Sequence, residues 1–450
     1  MSILLFFIPT NGPGVPINVP TFQPPANTIP TTPNQLPQPI SQPRVTTEIW
    51  ILDSSLNPIT KVQSPYLINK GGDILRYSKE LDEFGQCTFR ISAYDTMLKT
   101  LGDIITPHKN WVQIRRGGTT VWQGAIIEND KRNRDFIQVI AAEPLWYLNK
   151  VLVQRTSANP TGTGNDGIYR IFNSGTMAAA VTAIINETIT TFKSGDAGHA
   201  LANMTLGTVT NPNYPPNTTD GNSPPRALSG PWMFGNGIAA PTLTFDFHSI
   251  LFILKSFGVY AFSDFYLDNN LVFNFIPFKG NNLTNKVSFV WGGPNSPATN
   301  IIDYNIPRLG QRMVNDLYGI ATDYNGNVLH YEGTDQASIA TYGLIQGVAA
   351  YSDVKDQATL NARIQAEVPL VSAPDNAAIA VTLNEKGYPL GLYDIGDIVN
   401  INIQNKAVSF NDQRRIVGIT VNLHNTGRET TSVQTNKVQP WQFAALGSPQ

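Results

Sequence analysis

The apolar and polar positions along the chain change their period twice. From Val45 onward the apolar residues alternate. "TTEIWILDSS" reads as a strand running into a turn at Asn57-Pro58, and "DILRYSKELDEFGQCTFRISAYD" as two strands around a polar bend. "WVQIRRGGTTVWQGAIIEND" predicts a hairpin bent at Gly117-Gly118, and "KRNRDFIQVIAAEPLWYL" a charged turn followed by a strand. In the middle the period becomes helical. Met177, Val181, Ile184, Ile185 and Ile189 share one helix face behind a Thr176 cap. "FDFHSILFILKSFG" predicts a helix capped by Asp246 and stopped at Gly258. A hairpin turning at Asp268-Asn269-Asn270 follows. The last third returns to strands, with a hairpin at Asn325-Gly326 and one helix over 352–368. Ser352 is its cap, and Val354, Ala358, Leu360, Ile364 and Val368 its apolar face.

Two stretches have neither period. Residues 1–43 contain eleven prolines and no charged side chain. Proline lacks the amide donor, so this segment is expected to be an extended arm, either disordered or laid along a neighbouring subunit. Residues 194–243 are rich in Gly, Asn and Pro and predict a long insertion or contact loop. The expected division is therefore an arm over 1–44, a first β-barrel domain over 45–150, an inserted α+β region over 151–309, a second β-barrel domain over 310–438 and a tail over 439–450. The fold class is mainly β with α+β insertions: two antiparallel β-barrels separated by an inserted α/β region.

An internal echo supports the pair of barrels. Gly102-Asp103-Ile104 and Gly396-Asp397-Ile398 each open a run of strand, polar bend, strand with an internal glycine (Gly124, Gly418), charged turn and strand. Antiparallel hairpins in general also share this order, so both readings stand on pattern alone.

Composition narrows the function. The chain has 450 residues, 41% hydrophobic but only 14% charged, with 36 glycines and 32 prolines, as turn-rich β structure requires. A formal net charge of -2 argues against general binding of a polyanion. The single cysteine, Cys87, excludes a disulfide framework and is expected to be a half-buried strand residue. No apolar run is long enough to span a bilayer, so no stable membrane insertion is expected, and "MSILLFFIP" lacks the basic residues and cleavage site of a signal peptide.

Searches for chemistry return little. His108, His199, His248, His330 and His424 have no metal-site spacing, and there is no nucleophile elbow or phosphate loop. "GTGNDG" at 162–167 lacks the preceding strand and following helix that a dinucleotide site needs. Glu80, Asp82, Glu83, Asp394 and Asp397 cluster in sequence without the facing pair that a glycosidase needs. Arg414-Arg415 form one basic pair. The others, Arg115, Arg116, Lys131, Arg132 and Arg134, fall at bends and are assigned to solvent, a lumen or a neighbouring subunit. No catalytic, metal or cofactor residues are assigned, and no cofactor is expected.

"ELDEFGQCTFRISAYD" with the hairpin after it, and "GYPLGLYDIGDIVNINIQNKAVSFNDQRRIVGITVNLHNTGRE", resemble the first and closing barrel segments of long-tailed bacteriophage tail-hub proteins, the baseplate-hub or minor tail group. The resemblance covers 46–150 and 310–436. It implies a structural virion protein at the distal end of the tail. Three copies with two tube-like barrels each would form a pseudo-sixfold ring between the tail tube and tip or receptor-binding proteins, with DNA passing through the lumen unread. Some members carry a C-terminal peptidoglycan-degrading domain. This chain reaches Gln450 soon after the last barrel strand, so lytic activity is not expected. The alternatives are a host-surface carbohydrate-binding tail module, for which the aromatic residues of 230–280 either form a face or pack a helix–hairpin core, and a cell-wall hydrolase.

Overall fold

The computed structural model describes residues 46–437, except 64, 97, 99–103, 131–134, 154–169, 173–176, 196–199, 211–242, 246–247, 262, 293–298, 308–312, 324, 352–353, 373–377, 384–389 and 406–407. The arm over 1–44 and the tail over 439–450 lie outside the described residues, as do Lys131, Arg132, Arg134, Thr176, Asp246 and Ser352.

The first alternating stretch forms β1 (Thr47–Leu52), β2 (Pro58–Lys61), β3 (Pro65–Tyr66), β4 (Asp73–Glu80), β5 (Gln86–Ser92), β6 (Trp111–Arg116), β7 (Thr119–Asp130) and β8 (Phe136–Ala142). The middle supplies β9 (Arg170–Phe172), a helix over Met177–Gly195, β10 (Thr205–Val209), β11 (Leu243–Phe245), a helix over Ile250–Ala261, β12 (Asp264–Leu267) and β13 (Val272–Ile276). β14 (Ser288–Trp291) and β15 (Ile301–Asn305) follow, then β16 (Asp316–Thr322), β17 (Val328–Thr334), a helix over Gln336–Tyr342, β18 (Gln346–Tyr351) and a helix over Gln357–Val371. The chain closes with β19 (Ile379–Leu383), β20 (Ile398–Gln404), β21 (Ser409–His424) and β22 (Glu429–Lys437).

The expectation of a mainly β chain holds. Of the expected two antiparallel β-barrels separated by an inserted α/β region, the structure bears out the coarser part, large antiparallel sheets. No closed barrel forms among the described residues. Fourteen strands join one sheet, whose main path runs β15-β19-β22-β21-β4-β5-β8-β7-β6-β1-β2. The junction is β21 against β4, antiparallel, with Ile419 opposite Lys79 and Leu423 opposite Leu75. β21 is long enough to pair with β20 through its first half and with β4 through its second. A single core then serves both halves. Ile51, Phe89 and Trp122 from the first share it with Ile401, Ile419 and Val433 from the last, all nearly or fully buried. Alternation within each strand places these residues on one face.

The two echoing segments are antiparallel meanders of the same order, β6-β7-β8 and β20-β21-β22. Each has a long middle strand with a bulge near its glycine, between Ile126 and Glu128 in one and between Ile416 and Gly418 in the other. The glycines differ in need. A Cβ on Gly124 would lie 2.3 Å from the Ala142 carbonyl oxygen, whereas one on Gly418 would meet only a side chain at 3.4 Å.

The helical stretches fold as their period predicts. Met177, Val181, Ile184, Ile185 and Ile189 are buried against Leu254, Phe257 and Phe273. The second helix passes through Gly258 rather than ending there. A side chain at 258 would press on the Ser263 carbonyl oxygen at 2.8 Å, so this glycine permits the tight exit into β12. Within the passage 194–243, β10 pairs in parallel with β13. Residues 316–371 form a sheet of their own, β17-β16-β18, covered on one face by the 357–371 helix through Leu360, Ile364 and Val368. Asp356 caps that helix by accepting from the Thr359 amide at 2.9 Å, and Ala358 faces outward.

Candidate functional site

The joint between the two sheet halves is held by buried ion pairs and hydrogen bonds. It has two parts, one at each side of the β4–β21 pairing.

The first part uses the bend between β6 and β7. Arg116 Nε lies 3.0 Å from Glu429 Oε2 at the start of β22, and Arg116 Nη1 donates to the Leu390 carbonyl at 2.8 Å. Thr47 Oγ1 donates to the other oxygen of Glu429 at 2.7 Å. Both charged side chains are mostly buried, at 16% and 14% exposure, so this pair is screened less than a surface pair. Arg116 therefore ties the first meander to the last strand of the second and is not a free solvated residue. Arg115 lies one turn of the pleat away. Its guanidinium stacks 4.7 Å over the Trp50 ring, and its Nε donates to Gln113 at 2.6 Å.

The second part is built around Arg415, fully paired in the core although it reads in sequence as half of a basic patch. Its guanidinium grips the Asp264 carboxylate with both terminal nitrogens, and it donates to the Gly396 carbonyl at 3.1 Å and the Lys279 carbonyl at 3.0 Å. The ring of Phe278 lies 4.1 Å beneath it. The fork geometry of arginine suits this arrangement, because three elements are held by one planar group. Asp264 opens β12, Lys279 follows β13, and Gly396 leads into β20. The loops meet closely enough that a Cβ on Gly396 would sit 2.2 Å from the Lys279 oxygen, and Gly396 has φ +95°. Asp397 closes the contact by accepting from the Asn281 amide at 2.7 Å and the Asp394 amide at 2.8 Å.

Carboxylates separated in sequence converge here. Asp82, at the β4–β5 turn, accepts from the Phe265 amide at 2.7 Å. Desolvation, then the neighbouring Asp264, push its carboxyl up to about 8. Glu143 accepts from the Gly85 amide at 2.7 Å, and burial pushes it up to about 7. Asp394 pairs with Lys79 at 3.2 Å, and Lys79 with Lys279 holds its carboxyl below the usual range against the opposing cost of burial. Glu83 pairs with Lys255 of the 250–261 helix. Every one of these groups faces a partner within the chain, which is the behaviour of a structural joint. Among the described residues no group of three or more His, Cys, Asp or Glu could hold a metal ion.

The other sequence candidates disperse. Cys87 is fully buried rather than half-buried, and burial raises its thiol. Of the aromatic residues of 230–280, Phe257, Phe265, Phe273 and Phe275 are buried in the helix–hairpin core, Phe252 is 41% exposed, and Trp232 and Phe234 lie outside the described residues. The roles of Arg116 and Arg415 were hidden in sequence because their partners lie 313 and 151 residues away. Gly117 at the bend beside Arg116 was the one local signal, and nothing adjacent to Arg415 marked its role.

No protein-family model matches the chain, and no curated protein sequence matches it. Solved structures do. The tail protein from Neisseria meningitidis MC58 aligns with a TM-score of 0.55 at 9% identity, covering 89% of this chain and 99% of that one. The 43 kDa tail protein of prophage MuSo2 from Shewanella oneidensis aligns with a TM-score of 0.51 at 11% identity, covering 88% and 99%. At such identity the likeness lies in backbone arrangement and not in shared side chains, and it extends over nearly the whole of each relative: this chain has the fold of these tail proteins.

Proposed function

We propose that the chain is a structural, non-enzymatic virion protein, the hub of the distal tail tip, in which three copies form a pseudo-sixfold ring around the DNA exit channel. The ring joins the tail tube to tip or host-recognition proteins. The observation that carries this reading is the pair of like meanders, β6-β7-β8 and β20-β21-β22, fixed in one continuous sheet. Two equivalent units per chain and three chains give six positions, which is what a threefold part needs to mate with a sixfold tube. The polar joint supports the same role, since a ring that transmits load between neighbours needs its two units held rigidly. The tail-protein fold supports a place in the virion. DNA would cross the lumen without sequence-specific contacts, consistent with the net charge of -2.

The test is the solution mass of the full chain, alone and mixed with its tail-tube neighbour. The expected species has three times the 49.2 kDa mass of the chain and shows six similar densities around its axis in projection. A chain that stays monomeric in both conditions overturns the ring.

A further inference from the structure

We propose that the contact between the helix–hairpin unit, residues 250–281, and the large sheet is a latch that protons hold closed, so that the unit loosens as pH rises. The latch lies within one chain and is independent of the ring. Its ion pairs consume most of the cations at the contact. Arg415 holds Asp264, Lys79 holds Asp394 and Lys255 holds Glu83. Glu80, Asp82, Glu143 and Asp397 remain on the acidic side. Lys279 remains on the basic side, and its amine lies 4.3 Å from the centre of the Tyr266 ring rather than on a carboxylate. These carboxyls outnumber the one uncommitted amine. Taking so many like charges out of water together is costly, so part of the set keeps its protons in the folded chain.

Asp82 and Glu143 are the two that the geometry singles out. Among the described residues neither receives a side-chain donor. Asp82 accepts from the Phe265 amide at 2.7 Å, and Glu143 from the Gly85 amide at 2.7 Å. Around Asp82 stand Asp264 of β12, Arg415 of β21 and Lys279. Around Glu143 stand Lys79 of β4, Lys279 and Asp394. Burial is the largest influence on each and favours the neutral form, in agreement with the excess of acids. Glu80 faces Glu83 and Lys255, Asp397 faces Asp394, and burial raises both of these carboxyls as well.

The two carboxyls grip one turn from both ends. Asp82 ties the β4–β5 turn outward to β12, and Glu143 ties Gly85 back to the end of β8. Asp82 itself has φ +57°, a backbone conformation that L residues avoid and that persists while its surroundings hold it. When Asp82 ionises, its charge faces the Asp264 carboxylate, on the residue next to the amide it holds. Full hydration of that charge requires β12 to draw back from the turn. Both carboxyls release their protons at higher pH folded than unfolded, so the contact is intact in acid and is lost as pH rises. Arg415 stays charged throughout and keeps Asp264, so the unit loosens without leaving.

Hydrogen exchange of the full-length chain at about pH 5 and about pH 9, corrected for the intrinsic rate, tests the latch. Amides of 264–281 are expected to lose at least about tenfold in protection, the factor set by one pH unit of difference between folded and unfolded titration. Those of 316–371, which hold none of these groups, are expected to keep theirs. Asp82→Asn with Glu143→Gln retains both acceptors without their charges and is expected to abolish the loss. Asp303→Asn, at an exposed carboxylate of β15, is expected to leave it in place. Equal protection of 264–281 at both pH values in the unchanged chain overturns the latch, and this measurement decides if the double variant does not fold. An equal loss over 316–371 overturns it too, because that reports unfolding of the whole chain. A folded double variant that keeps the full loss shows that other groups titrate and removes Asp82 and Glu143 from the role.

Discussion

Arg116 and Asp82 show how a side chain acquires a role from partners far away in sequence. At the β6 bend, the sequence alone predicts that Arg115→Ala with Arg116→Ala leaves the fold intact. The structure separates the two. Arg116→Ala strands Glu429, which is mostly buried, and is expected to cost about 1 to 3 kcal/mol in urea unfolding. Arg115→Ala loses one stacking contact and is expected to cost less than about 1 kcal/mol. Equal losses for both would contradict the assigned pairing. Asp82 and Glu143 carry a pH dependence. Their carboxyls titrate higher folded than unfolded, so their contribution is fully present below the ordinary carboxylate range and is lost as pH rises toward about 7 to 8. Both side chains keep some solvent contact, which tempers the size of the effect. Melting temperature is expected to fall between about pH 5 and 8, and Asp82→Asn to flatten part of that fall. An identical slope in the variant would show that Asp82 does not titrate in this window.

Elements depend on where backbones touch. Gly396→Ala places a methyl group against the Lys279 carbonyl in a backbone conformation that L residues avoid, so it is expected to destabilise by more than about 1 kcal/mol and to loosen the 279–281 contact. Hydrogen exchange at residues 264–281 reads this directly. In the small sheet, Gly319 and Gly333 admit Ile364 closely, with Cβ positions 2.2 and 2.6 Å from its side chain. Ile364→Ala should cost about 2 to 5 kcal/mol, because glycines around it cannot move in to fill the cavity. Unfolding that begins in 316–371 rather than in the large sheet would show that this unit is the weaker one.

For the whole molecule, the element pattern was largely legible. The strands around 47–142 and 398–437, the two central helices and the Asn325-Gly326 hairpin follow from period and turn chemistry. The helix cap was displaced from Ser352 to Asp356, since two acceptable caps four residues apart cannot be ranked without knowing which turn packs. The two-barrel expectation did not foresee one pairing, β4 against β21. Nothing in the alternation of β4 or β21 says that they are neighbours, because an open edge satisfies the same pattern as a paired one. That pairing gives a testable assembly property: the two halves share one core and should unfold together, so fluorescence of Trp122 and exchange of the β21–β22 amides should report the same transition. Separate transitions would mean that the joint is weaker than its packing indicates.

The sequence by itself determined the β-rich class, the helix faces, the turn positions and the repetition of a meander, because these depend on local period and on the conformational limits of glycine and proline. It also determined the low charge that removes general polyanion binding. Only the tertiary structure decided that the two meanders belong to one sheet, that Arg116 and Arg415 are ties and not a basic surface, and that β18 is an edge of the small sheet among the described residues. Each of these depends on contacts between residues scores to hundreds of positions apart, and local preference carries no information about which distant partner lowers the free energy of a buried charge or an unpaired strand.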